Sequence, residues 1–148
     1  MIKVYSDLSE VEILITKFQN KTLTLADWTH NAHLTVGLYF VAKYGRAKAM
    51  DMLRDCIFTY NASVGTINSD TGGYHETITQ FWVWLLDAYW QQVADKNNFL
   101  DACNILLQSN FSGRDIFFKF YSRELLFSIK ARKTFVKPDI IAFDIKLI

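Results

Sequence analysis

Proline occurs once in this sequence and glycine six times, so few positions can break a helix or force a left-handed turn. Cysteine occurs twice, at Cys56 and Cys103, with no short-spaced pair between them. Both fall on apolar positions of expected helices and read as reduced core residues rather than as a disulfide. No stretch reaches the ~18 consecutive apolar residues of a membrane span, and Met1 to Asp7 lack the apolar core and small-residue cleavage site of a signal peptide. The expectation is a soluble, cytoplasmic protein. An excess of one charge is lacking too: 16 basic residues face 15 acidic ones, net +1. That balance gives no global argument for nucleic acid, an anionic membrane or an acidic partner. The expected partner is a small-molecule substrate or ligand, with no nucleic acid and no membrane, and oligomeric state is not legible. Histidine is the last scarcity, with three in the chain.

What is present is apolar: 51% of the 148 residues, with 16% aromatic. A chain of this length closes one hydrophobic core, so residues 1–148 are expected to form one helical domain. Residues 1–6, with Ile2 and Val4 apolar, read as a strand or an extended lead-in. A first helix is expected from about Leu8 to Asn20, capped by Ser6 or Asp7 and burying Val11, Leu14, Ile15 and Phe18. A second, from about Ala26 to Tyr44 with Thr24 as cap, leaves only a narrow polar line through Asn31, Thr35 and Lys43, which marks it as central. Gly45 stops it. A third runs from about Arg46 to Ala62, and Ser63 to Gly73 form one long polar loop. A fourth, about Tyr74 to Asp95, carries Trp82, Trp84 and Trp90. A fifth, about Asn97 to Ser109, and a sixth, about Arg114 to Lys130, complete an all-α bundle of five to six helices. The tail alternates Ile141, Phe143, Ile145 and Leu147 after a turn at Lys137-Pro138-Asp139, as a strand or an extended packed tail would.

The three histidines occur in two short runs, Trp28-Thr29-His30-Asn31-Ala32-His33-Leu34 and Gly73-Tyr74-His75-Glu76-Thr77. His30 and His33 are one helical turn apart, on the same face as Leu34, Gly37, Leu38 and Val41. His75 shares its face with Ile78, Trp82, Leu85 and Tyr89. An inward imidazole needs a hydrogen-bond partner or a metal, because an unsatisfied buried polar group costs roughly 1–3 kcal/mol. Three of them on facing helices of a bundle can hold a divalent transition metal, with zinc, iron, manganese and nickel all compatible with nitrogen ligands. The expected site is therefore His30, His33 and His75 as ligands, Glu76 as proton carrier and Asp27 orienting His30 from one turn before. Arg54, Tyr60, Asn61 and Tyr74 are the candidate substrate contacts near the loop. The expected activity is metal-dependent hydrolysis or group transfer on a small molecule. The alternative is a non-catalytic binding or interaction module whose histidines complete a structural polar network. Gly72-Gly73 lacks the following lysine of a phosphate loop, and Lys119, Arg123, Lys130, Arg132 and Lys133 read as a solvated basic face.

On these two motifs the chain resembles a small group of helical bacterial proteins, over the residues up to about Trp90. The resemblance implies a helical fold and carries no activity. In being helical with three histidines the chain is also loosely similar to the damage-inducible DinB/YfiT-like metal-dependent bundles. Those place a lone histidine first and a helical pair later, three residues between its members, whereas here the pair comes first with two between.

Overall fold

The computed structural model of the chain describes residues 3–148. Ile2, half of the proposed alternation in the lead-in, lies outside the described residues. Among those described there is no strand, and no helix is long and apolar enough to cross a membrane. The fold is an all-helical bundle. Five longer helices build it: α1 (Leu8–Gln19), α2 (His30–Tyr44), α3 (Arg46–Ser63), α4 (Glu76–Val93) and α5 (Phe99–Leu107). Two short ones follow, α6 (Arg123–Leu126) and α7 (Ile129–Lys133).

Helix α2 is central as its composition requires, packing on α4 most extensively and also on α1, α3 and α5. Its residues from Leu34 to Leu38 are all buried. Thr35 departs from the expected polar line: its hydroxyl donates to the Asn31 carbonyl and meets the Tyr5 hydroxyl at 3.1 Å, inside the core. Gly37 lets α2 and α4 approach closely, since a Cβ there would lie 2.6 Å from Leu86 Cδ1. Gly45 ends α2 at φ 78°, a backbone conformation that costs glycine nothing.

The described part of the lead-in, residues 3–6, is neither strand nor free coil. The backbone N–H groups of Val4 and Tyr5 both donate to Asn104 Oδ1, and Asn104 Nδ2 donates to the Tyr5 carbonyl. One buried amide on α5 thus substitutes for a neighbouring strand.

Two expectations need correction. Helix α2 starts at His30, not Ala26: Leu25–Asp27 is a 3-10 turn capped by Thr24, and Thr29 re-caps the chain by accepting from the Ala32 N–H. The sixth helix, expected from Arg114 to Lys130, is broken into a 3-10 turn (Ile116–Lys119), α6 and α7. Ser122 and Ser128 break it. Each has extended backbone angles, and each hydroxyl accepts the N–H three residues on, at Leu125 and Ala131. Asp139 from the tail accepts both the N–H and the hydroxyl of Ser122 and locks the break. The tail forms no strand. It crosses α4 as an extended segment with Phe143 stacked on Trp84 (4.6 Å between centroids) and ends in a 3-10 turn (Ile145–Leu147).

Candidate functional site

Between α2, α3 and α4 lies a cleft of about 720 Å³ that is lined by all three histidines. Leu34, Leu53, Ile57, Ile78 and Leu86 make an apolar wall, and Trp82 from α4 turns its ring edge-on to His30 at 5.5 Å. The loop before α4 closes one side through Thr66, Gly73 and Tyr74. Asn68 organises that loop. Its Oδ1 accepts from Asn61 Nδ2 and the Tyr74 N–H, and its Nδ2 donates to the Phe58 carbonyl. Gly73, at φ 76°, passes so close that a Cβ would lie 2.6 Å from the Ile67 carbonyl oxygen, which explains why glycine precedes Tyr74-His75.

Each imidazole is held by a backbone carbonyl, and because a carbonyl only accepts, the tautomer follows. His30 donates from Nε2 to Ser112 O at 2.8 Å, leaving Nδ1 with its lone pair. His33 donates from Nδ1 to Thr29 O at 2.7 Å, leaving Nε2. His75 has no such remainder: Nε2–H donates to Leu126 O at 2.7 Å while Nδ1 accepts the Ile78 N–H at 3.1 Å. His75 is the N-cap of α4; the other α-helices whose cap bonds through its side chain use Ser, Thr, Asp or Asn.

All three rings are pushed toward the neutral form, chiefly by desolvation, with the carbonyl bonds opposing it and Arg114 or Arg132 adding to it. His33 falls to about 4. Part of the ring surface remains open to solvent. Nevertheless the cleft walls surround it and Trp28 stacks on its face at 3.7 Å between centroids, with Phe18 beyond Trp28 at 4.5 Å. The ring face under Trp28 loses the water that would stabilise its cation, and this desolvation is the largest cause of the shift.

The remaining expected residues divide. Asn61 and Tyr74 line the cleft, whereas Glu76, Arg54, Tyr60 and Asp27 do not. The Glu76 carboxylate accepts from Arg54 Nε (2.6 Å) and Nη2 (3.1 Å), from the Tyr74 hydroxyl and from Gln80 Nε2. Burial alone would raise this carboxyl, but the bonds from Arg54, Gln80 and Tyr74 outweigh it and hold it below its usual value. It is a saturated structural anion, which is a poor proton carrier. Tyr60 is fully buried and donates its hydroxyl to the Leu23 carbonyl. Asp27 accepts from Thr24 on the exposed 3-10 turn, and it is Ser112, from a distant segment, that orients His30.

Both nitrogens of His75 are engaged by main chain, and no group of three or more His, Cys, Asp or Glu side chains among the described residues is placed to hold a metal ion.

Sequence reasoning missed the two cleft cations. Arg114 and Arg132 both line the cleft. Arg132 Nη1 donates to the Gly73 and Tyr74 carbonyls (2.9 and 3.3 Å), which anchors it to the loop. Arg114 makes no hydrogen bond or ion pair to protein among the described residues, and no Asp or Glu among them lines the cleft. The run containing Arg132 was legible only as a charged helix face, because nothing local reports that α7 packs against α4. Comparison of the chain with protein-family models, with curated proteins and with solved structures gave no match.

Proposed function

We propose that the cleft binds a small organic molecule with an apolar body and one anionic group, a carboxylate or a phosphate. One observation carries this: two arginines and three neutral imidazoles line an otherwise largely apolar cleft to which no Asp or Glu among the described residues contributes. Arg114 is exposed and Arg132 half-buried, so both keep water. The attraction is one of charge complementarity: an anionic group gains charge-assisted hydrogen bonds from guanidinium groups that no cleft carboxylate among the described residues engages. The apolar wall contributes affinity through burial at roughly 25 cal/mol per Å². The volume of about 720 Å³ falls within the ~300–1,000 Å³ typical of ligand pockets. The lone pairs on His30 Nδ1 and His33 Nε2 accept hydrogen bonds from a ligand hydroxyl or amide. The proposed setting is the cytoplasm, where the two free thiols stay reduced.

Calorimetric titration with aryl and alkyl carboxylates, their phosphate counterparts and the matching neutral amides tests it. The anions are expected to bind at least about tenfold more tightly than the amides, ~1.4 kcal/mol, and Arg114→Ala is expected to remove that difference. Equal binding of acid and amide would refute the proposal. A metal-dependent hydrolase or transferase is the second reading, favoured by the same two free lone pairs one turn apart. Elemental analysis of untagged protein decides it. Stoichiometric metal that disappears in a folded His33→Ala variant supports it, and metal-free wild type removes it.

A further inference from the structure

Between Arg114 and Lys133 six basic residues face two acidic ones, a net charge of +4 in a chain whose total is +1. This segment also holds apolar side chains in water. Leu126 and Ala131 are fully buried, which turns the residues between them outward: Phe127 is 54% and Ile129 50% exposed. Phe118 meets Phe127 edge-on at 5.8 Å, and the Arg123 guanidinium lies over the Phe118 ring at 4.3 Å. Ile140, 59% exposed, is held beside the segment by its N–H bond to the Phe120 carbonyl. Neither Arg123 nor Lys130 has a carboxylate partner among the described residues, while Lys133 is paired with Asp70 at 2.7 Å.

We infer that the α6–α7 tip, with Phe127 and Ile129 projecting among Arg123 and Lys130, docks the protein on an anionic lipid surface. Exposed apolar side chains at a tip where cations outnumber the one local acid, Glu124, suit an interface with an acyl boundary below and phosphates above. Nucleic acid is a poorer match, because single-strand binders use spaced aromatic faces along a groove, and Ile129 and Ile140 have no stacking face. The tip is also continuous with the cleft. The Leu126 carbonyl that precedes Phe127 holds His75, and Arg132 of the same short helix lines the cleft wall. Docking therefore brings the cleft close to the membrane, although the inference stands whatever the cleft binds.

Co-sedimentation of the full chain with phosphatidylcholine vesicles, with and without phosphatidylglycerol, tests the inference. Binding is expected only with the anionic lipid, and it should weaken as salt rises. Phe127→Ser/Ile129→Ser should reduce the partition coefficient by roughly tenfold or more while the variant stays folded by circular dichroism, since both side chains are about half exposed. Arg123→Glu/Lys130→Glu should do the same. Absence of binding to anionic vesicles overturns the inference. So does binding that the Phe127/Ile129 variant leaves intact and that duplex DNA competes away, which would mark a plain polyanion-binding face. A concentration-dependent dimer in sedimentation velocity, lost in that variant and without vesicle binding, would make the patch a self-contact instead.

Discussion

At the scale of single residues, the three histidines differ in what their second nitrogen does. His75 uses both nitrogens on main chain, as cap of α4 and as tether to α6. His75→Ala is expected to cost about 1–3 kcal/mol in urea denaturation, from a lost cap and an unpaired Leu126 carbonyl. His75→Asn should recover the cap's share alone, so it should fall between alanine and wild type. Proton linkage gives a second test. The folded-state basicity of His30, His33 and His75 lies below the ordinary value of 6.5. As pH falls below that value the unfolded chain binds protons first. The stability present above it is then lost, levelling off for His33 only near 4, where the folded ring protonates as well. Glu76, also held low, works in the same direction at more acid pH. Melting temperature should therefore fall steadily from pH 7 to pH 4, and His33→Gln should flatten that slope.

At the scale of elements, the start of α4 carries the most constraint. Arg54 on α3 grips Glu76 with two nitrogens, although its own side chain is 43% exposed and water moderates the pair. Arg54→Ala is expected to destabilise by about 1–3 kcal/mol, because Glu76 keeps only Tyr74 and Gln80 as donors. Gly73→Ala should cost a similar amount, about 1–3 kcal/mol, by forcing a Cβ against the Ile67 carbonyl at positive φ. It should also weaken cleft binding, because the loop it distorts carries Tyr74 and anchors Arg132. The long helices were legible because their apolar stripes repeat over several turns. The 114–133 region was not, since its phenylalanines keep helical spacing while Ser122 and Ser128 hydrogen-bond the backbone locally and restart the chain twice. Serine in such a run is ambiguous until something fixes it as a cap, and at Ser122 that is Asp139, far along the tail.

At the scale of the whole molecule, the cleft is assembled from α2, α3, α4, the loop before α4 and two arginines from the last third of the chain. A ligand that binds only this assembled state stabilises it by mass action. An anionic aryl or alkyl ligand at about 100 times its Kd is expected to add ~2.7 kcal/mol of stability, measurable as a rise in melting temperature. Arg114→Ala/Arg132→Ala should abolish the rise. A neutral isostere raising the melting temperature equally would show that the arginines do not read charge.

Helix class, the central place of α2, the stop at Gly45 and the concentration of histidines in two motifs were all decided by local pattern. Each depends on residues within a few turns of one another, where periodicity and backbone preference act directly. The outcome for each imidazole was decided by tertiary structure. Ser112 and Leu126, whose carbonyls take the protons of His30 and His75, lie 82 and 51 residues from them in the chain. The same holds for Glu76, whose charge is absorbed by an arginine 22 residues away, and for Arg114 and Arg132. Hydrogen bonding and desolvation depend on which groups come within about 3 Å, and in a bundle only the packing of its helices sets that proximity.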